Sequence, residues 1–282
     1  MNIFQMLTYG YPQWADGSFV DVTGQDFVDH LSIGASGWVG AWIAVGLAVV
    51  FGLLVYIFPI IMTETEHIQC YPLWLHCFYW AADFMGIWVF FHEWNVYGHF
   101  TLFLLLSIGE AIWVVMETYC LARAIQYERS IIWKAGTSKK TMIAEIVCMT
   151  LFFYFCLNFL RFEWHDETMW KFWIFTQVLV TTIPVWELSK RGYRSGNCLA
   201  LSITFICVVL VSFNPWANMW LAVKPEILLP LSKSLVLSDQ PVLPCLLGLW
   251  PLSLYQAAAE RRYHEVWEES CFEVIGLLSI PT

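Results

Sequence analysis

Seven stretches of this chain have the length and apolar character of membrane-crossing helices, or nearly so. A spanning helix needs about 20 mainly apolar residues. The stretches are 38–62, 71–91, 100–121, 141–160, 170–186, 198–216 and 241–259. An eighth, 219–237, carries Lys224, Glu226 and two prolines and reads as a re-entrant or interfacial piece. Composition agrees. Hydrophobic residues make up 59% of the 282 and charged residues only 13%, against about 25% charged in an ordinary soluble domain. So little charge cannot coat a water-soluble surface of this size. A soluble globular domain, a disordered chain and a nucleic-acid binder are therefore excluded, the last because 14 bases against 23 acids leave no basic footprint. The expected fold is all-α: a polytopic membrane helix bundle of about seven transmembrane helices.

The bases set the expected orientation. Arg123, Arg129, Lys134, Lys139 and Lys140 lie between the third and fourth stretches. Lys190, Arg191 and Arg194 lie between the fifth and sixth, and Arg261 and Arg262 follow the seventh. Seven spans put all three groups on one side, which the positive-inside rule assigns to the cytoplasm. The organisation expected is a lumenal segment 1–37, a seven-helix domain 38–259 and a cytoplasmic tail 260–282, with the endoplasmic reticulum as the membrane. Segment 1–37 has no Lys or Arg and lacks the basic start and apolar core of a secretory signal. Within it, Asp26, Phe27, Val28 and Leu31 suggest a short interfacial helix, or a lid over the bundle. The nine cysteines form no C-x-x-C pair and mostly sit in apolar runs, as small core hydrophobes.

Four acids interrupt the apolar stretches: Asp83, Glu110, Glu117 and Glu145. A carboxylate at bilayer depth costs on the order of 2.5–3.5 kcal/mol even on lenient scales, so it faces the bundle interior and marks a site by default. No span centre supplies a Lys or Arg to neutralise them. Burial without a cationic partner favours the neutral acid, and a neutral acid in an apolar setting is a proton donor. On a helix, Asp83 shares its face with Trp80, Tyr79 and His76. Glu110 and Glu117 are seven residues apart on one face, with Trp113 between them. Glu145 is close enough in sequence to pair with Lys139 or Lys140. The ordinary alternative for each acid is an interhelical hydrogen bond that locks packing.

The expected lumenal rim is polar, with His92, Glu93 and His99 after the second stretch and Asn158, Arg161, Glu163, His165, Asp166 and Glu167 after the fourth. The histidine spacing matches neither H-E-x-x-H nor a histidine-box array, so no metal site is expected. Walker, G-x-S-x-G, G-x-G-x-x-G and N-D-x-x-D signatures are missing, which disfavours nicotinamide and Mg-diphosphate chemistry. Eighteen per cent of residues are aromatic, and rings inside the spans could steady a cation through their quadrupoles.

The stretch from Glu187 to Cys198, ELSKRGYRSGNC, returns the chain from one apolar run into the next. It resembles the R-G-S-T-R-G-x-S loop of the fungal membrane-bound terpene cyclases of meroterpenoid and indole-diterpene pathways. Arg191, Gly192 and Gly196 match; Tyr193, Arg194 and Ser195 depart in order, and Cys198 stands where Ser is usual. In that family the second span carries an Asn-x-x-Trp-Glu cluster whose acid protonates the substrate, and Tyr79 to Asp83 occupies that place here. The family's last span also holds an acid, whereas here Asp239 lies just outside 241–259. The resemblance therefore implies either a moved second acid, such as Glu110, or a divergent branch like the ascochlorin and ascofuranone cyclases. It implies a seven-span, cofactor-free enzyme that protonates a lipophilic prenylated, epoxidised substrate. Asp83, Glu110 and Glu117 would be catalytic. His76, Tyr79, Trp80, Trp113, Glu145, Asn158 and Arg161 would contact substrate. The same loop also resembles a PQ-loop, with Pro184 in place and Val185 for Gln, and so points alternatively to a transporter or proton-coupled carrier. The oligomeric state is open.

Overall fold

The computed structural model describes residues 22–191 and 195–213, together with Trp220, Val223 and Lys224. These residues form helices and no strand. The order is α1 Gly24–Leu31, α2 Trp38–Glu66, α3 Leu73–Val96, α4 Thr101–Tyr127, α5 Arg129–Ile132, α6 Lys139–Glu163, α7 Trp170–Arg191 and α8 Leu199–Phe213. Helices α2, α3, α4 and α6 are long and apolar enough to cross a membrane, and the protein is a membrane-embedded helical bundle. The fifth and sixth expected spans are also helical. However, α7 falls outside that set by composition, and α8 is a shorter apolar helix of 15 residues. Stretches 219–237 and 241–259, segment 1–21 and tail 260–282 lie outside the described residues, apart from the three residues named above.

Helix α3 is the central element. In its most apolar stretch 67% of residues are buried, against 11% for α6. It packs against α4 and α6, while α2 packs against α8 and α8 against α7. One core joins α2, α3, α7 and α8 through Tyr56, Leu75, Phe78, Met85, Phe172, Leu201 and Phe205. By contrast Val115, Phe152, Phe155 and Phe159 are exposed. That inversion of the soluble pattern is expected where lipid is the solvent.

Local sequence sets the helix ends. Pro72 precedes α3 in an extended conformation, where its missing N–H costs no helical hydrogen bond. Ser138 starts α6 by accepting a hydrogen bond from the Thr141 backbone N–H at 3.1 Å. Between α3 and α4 the chain reverses over Tyr97, Gly98, His99 and Phe100, with Gly98 and His99 left-handed at φ 61° and 60°. A turn this short makes α3 and α4 antiparallel neighbours. Their closest approach depends on Gly86, where a Cβ would lie 3.0 Å from Glu110 Cγ. Ser107 adds a bond from its hydroxyl to the Ile87 carbonyl at 2.9 Å.

The short segment from Asp26 to Leu31 is helical and lies within α1. Thr23 and Asp26 form a capping box at its start. Trp42 of α2 donates its indole N–H to the Leu31 carbonyl at 2.8 Å, and Phe27 packs on Phe103 with ring centres 5.5 Å apart. Lys224, from the far end of the chain, reaches Asp26 at 2.6 Å.

The Gly86 contact yields a test of the α3–α4 pairing. Gly86→Val should overpack the interface and cost about 1–3 kcal/mol, read as a lower thermal midpoint of the detergent-solubilised protein. An unchanged midpoint would mean that the two helices do not meet there.

Candidate functional site

The antiparallel register of α3 and α4 arranges the acids. On α3, His76 and Asp83 are seven residues apart; on α4, Glu110 and Glu117 are seven apart. Seven residues are about two turns, or about 10.5 Å of rise, so each pair lies on one face. The antiparallel run then sets Asp83 beside Glu110 and His76 beside Glu117. The Asp83 and Glu110 carboxyl groups are within hydrogen-bonding reach of each other. His76 Nδ1 and Glu117 Oε2 are 2.6 Å apart. All four side chains are at most 2% exposed. Tyr56 of α2 stacks on Trp113 with ring centres 6.4 Å apart.

Among the described residues, no Lys or Arg pairs with Asp83, Glu110 or Glu117, and no N–H or O–H reaches Asp83 Oδ2 or Glu110 Oε2. Two carboxyl groups in contact in a dry setting cannot both carry full charge. Such a pair can hold one proton between its two members. This is the arrangement of a proton donor with its acceptor alongside.

The remaining sequence candidates have other partners. Tyr79 donates its hydroxyl to the Thr176 carbonyl of α7 at 2.7 Å, tying α3 to α7 beside Asp83. Trp80 turns to the opposite flank of α3, where its indole N–H meets Thr118 Oγ1 at 2.9 Å and its ring stacks on Phe84 at 5.1 Å. Trp80 lines a groove of about 840 Å³ between α4 and α6, which none of Asp83, Glu110 and Glu117 lines. Glu145 is exposed; it accepts the Trp133 indole N–H at 2.6 Å and pairs with neither Lys139 nor Lys140. Asn158 bonds the Tyr154 carbonyl of its own helix at 2.9 Å.

Arg161 is a buried staple at the α6–α7 turn. Its Nε meets the Asp166 and Glu167 carbonyls at 3.1 and 3.2 Å, and Nη2 meets the Glu167 carbonyl at 2.6 Å. Asp166 in turn accepts the Phe172 N–H at 2.8 Å and fixes the start of α7. Among the described residues, no three His, Cys, Asp or Glu side chains are grouped to hold a metal ion.

At the opposite end, the loop after α7 docks on the α2–α3 loop. Arg191 Nη1 donates to the Ser195 carbonyl at 3.1 Å, and the Gly196 N–H donates to Glu66 at 2.8 Å. Gly196 is required there: its φ is 82°, and a Cβ would lie 3.0 Å from the Gln69 carbonyl oxygen. Gln69 donates its own N–H to Glu128 at 2.9 Å. Gly196, one of the residues that carry the family resemblance, thus closes one end of the bundle. Sequence reasoning missed Tyr56 and Gly86. Gly86 had a signal, lying three residues beyond Asp83 on its face; Tyr56 had none, because it stacks on Trp113 from another helix. No family model, curated protein or solved structure matches this chain.

Burial raises Asp166 to about 6, against the bonds it accepts from Phe172 and Lys171, and raises Glu167 to about 7 against the pull of Arg161. An acid raised on folding gives stability that is fully present below its unfolded value, about 4 for Asp or Glu, and is lost as pH rises through the folded value. The thermal midpoint should therefore fall between pH 5 and pH 8. Asp166→Asn, which keeps an acceptor for the Phe172 N–H, should flatten part of that fall. An identical pH profile in the variant would contradict the assignment.

Proposed function

We propose that the protein is a membrane terpene cyclase that protonates the epoxide of a prenylated substrate and folds the chain into rings through a carbocation. The observation that carries this reading is the Asp83–Glu110 pair, two carboxyl groups buried between two helices with no Lys or Arg paired to them among the described residues. Asp83 gives its proton to the epoxide oxygen as general acid. The carbon–oxygen bond opens to a hydroxyl and a tertiary cation, which the chain's double bonds attack in turn. Glu110, or Glu117 held by His76, takes the proton lost from the last cation. The proton count closes, so the reaction is an isomerisation. Tyr56, Tyr79 and Trp113 supply aromatic faces for the moving charge, and a dry setting keeps water from quenching it early. Asp83 is only 1% exposed, so α3 and α4 must part to admit substrate. The chain crosses the membrane seven times in this reading, with the N-terminus lumenal and the C-terminus cytoplasmic.

A proton-coupled carrier is the second reading. It is favoured by the stacking of Asp83–Glu110 and His76–Glu117 two turns apart, since acids and imidazoles in series within a membrane make proton relays.

Microsomes containing the protein, given an epoxidised prenyl phenol, separate the two. The cyclase reading expects ring-closed product of unchanged mass. Asp83→Asn should lose at least about 100-fold in turnover, the usual share of a general acid, while eluting as the parent does in size-exclusion chromatography. Full turnover in that variant would remove Asp83 from the mechanism. Chelator should leave turnover intact; a loss restored by zinc would contradict the proton-only chemistry. Proton-driven uptake into vesicles without a change in the solute would favour the carrier.

A further inference from the structure

The groove between α4 and α6 has a divided chemistry. Trp80, Leu121, Ile125, Val147 and Leu151 give it an apolar lining, and Arg129 and Lys139 also line it. Lys139 is the first residue of α6 and Arg129 follows the end of α4, so both bases stand where these helices leave the apolar layer. Both are exposed. Neighbouring charges are otherwise engaged: Arg123 is paired with Glu64 at 2.7 Å, Glu128 accepts the Gln69 N–H, and Glu145 accepts the Trp133 indole N–H. Among the described residues no carboxylate pairs with Arg129 or Lys139; Arg129 donates to the Thr137 carbonyl, which leaves its charge uncompensated. The groove is thus apolar along its length and positive at its mouth.

We infer that this groove is a binding site for an anionic phospholipid, its acyl chain along Trp80, Ile125 and Val147 and its phosphate between Arg129 and Lys139. Basic pockets between membrane helices hold anionic headgroups in this way. A zwitterionic lipid fills the apolar part equally well but brings its own cation to a mouth that already holds two. The site is separate from the acid pair and does not depend on the catalytic reading. Trp80 lines it in a fixed pose, its indole N–H bonded to Thr118 of α4 and its ring stacked on Phe84.

Native mass spectrometry of the full chain released from detergent tests this, with phosphatidylserine and phosphatidylcholine of matched chains added in competition. Each base near an anionic headgroup is worth about fivefold in affinity, so the pair should give about a thirtyfold preference for phosphatidylserine. The Arg129→Gln/Lys139→Gln double variant should lose that preference while still retaining either lipid. Lys190→Gln, an exposed base on α7, should keep it. Ala122→Trp, which fills the groove, should lower retention of both lipids. Equal retention by the parent, or a preference that survives the double variant, would overturn the site. Thermal midpoints of all variants separate loss of lipid from loss of fold.

Discussion

Everything at the centre of this molecule follows from placing two carboxyl groups against each other in a buried setting where, among the described residues, no Lys or Arg pairs with them. Asp83 and Glu110 meet because α3 and α4 are joined by a four-residue reversal and because Gly86 has no side chain. Lipid cannot solvate a charge. Two carboxyl groups so placed cannot both ionise fully, and the helices that carry them are held by close packing at Gly86 and by the Ser107 bond to the Ile87 carbonyl. The second pair, His76 with Glu117, uses the same register two turns away, and Trp113 between the two α4 acids stacks on Tyr56 of α2.

The polar groups at the two ends of the bundle do a different job. Arg161 and Asp166 spend their hydrogen-bonding capacity on backbone groups of the α6–α7 turn. Gly196, Glu66, Gln69 and Glu128 knit the loops at the other end. These are clamps, and they fix helix ends so that α3 and α4 keep their register. The acids at mid-bundle hold no such backbone bonds among those described. That contrast, rather than burial alone, separates the candidate chemistry from the scaffold.

Much of this was legible in the residues. Six of the seven apolar stretches begin and end close to helices, because a spanning helix must satisfy its own backbone and announces itself as an unbroken apolar run. The seven-residue spacing of Glu110 and Glu117, and of His76 and Asp83, was also visible. The pairing between the helices was not, since the offset of one helix against another depends on the turn at Gly98 and the notch at Gly86. Trp80 shows the limit of helical periodicity. It lies three residues from Asp83, but that offset is about 60° around the helix, enough to turn a large ring onto a different flank. Glu145 shows another limit. An acid inside an apolar stretch reads as buried, yet near the end of a helix it turns outward and takes the Trp133 indole instead.

The claim on which the rest hangs is that the buried couple keeps a proton at neutral pH. Infrared spectroscopy of the membrane-reconstituted protein reads it directly through the carbonyl stretch of a protonated carboxylic acid. The account predicts that part of such a band at pH 7 is slow to shift in deuterated buffer and is lost in the Asp83→Asn/Glu110→Gln double variant, apart from the share that Glu167 contributes. A parent spectrum with only ionised carboxylate bands at that pH, or a protonated band unaffected by the double variant, would contradict it.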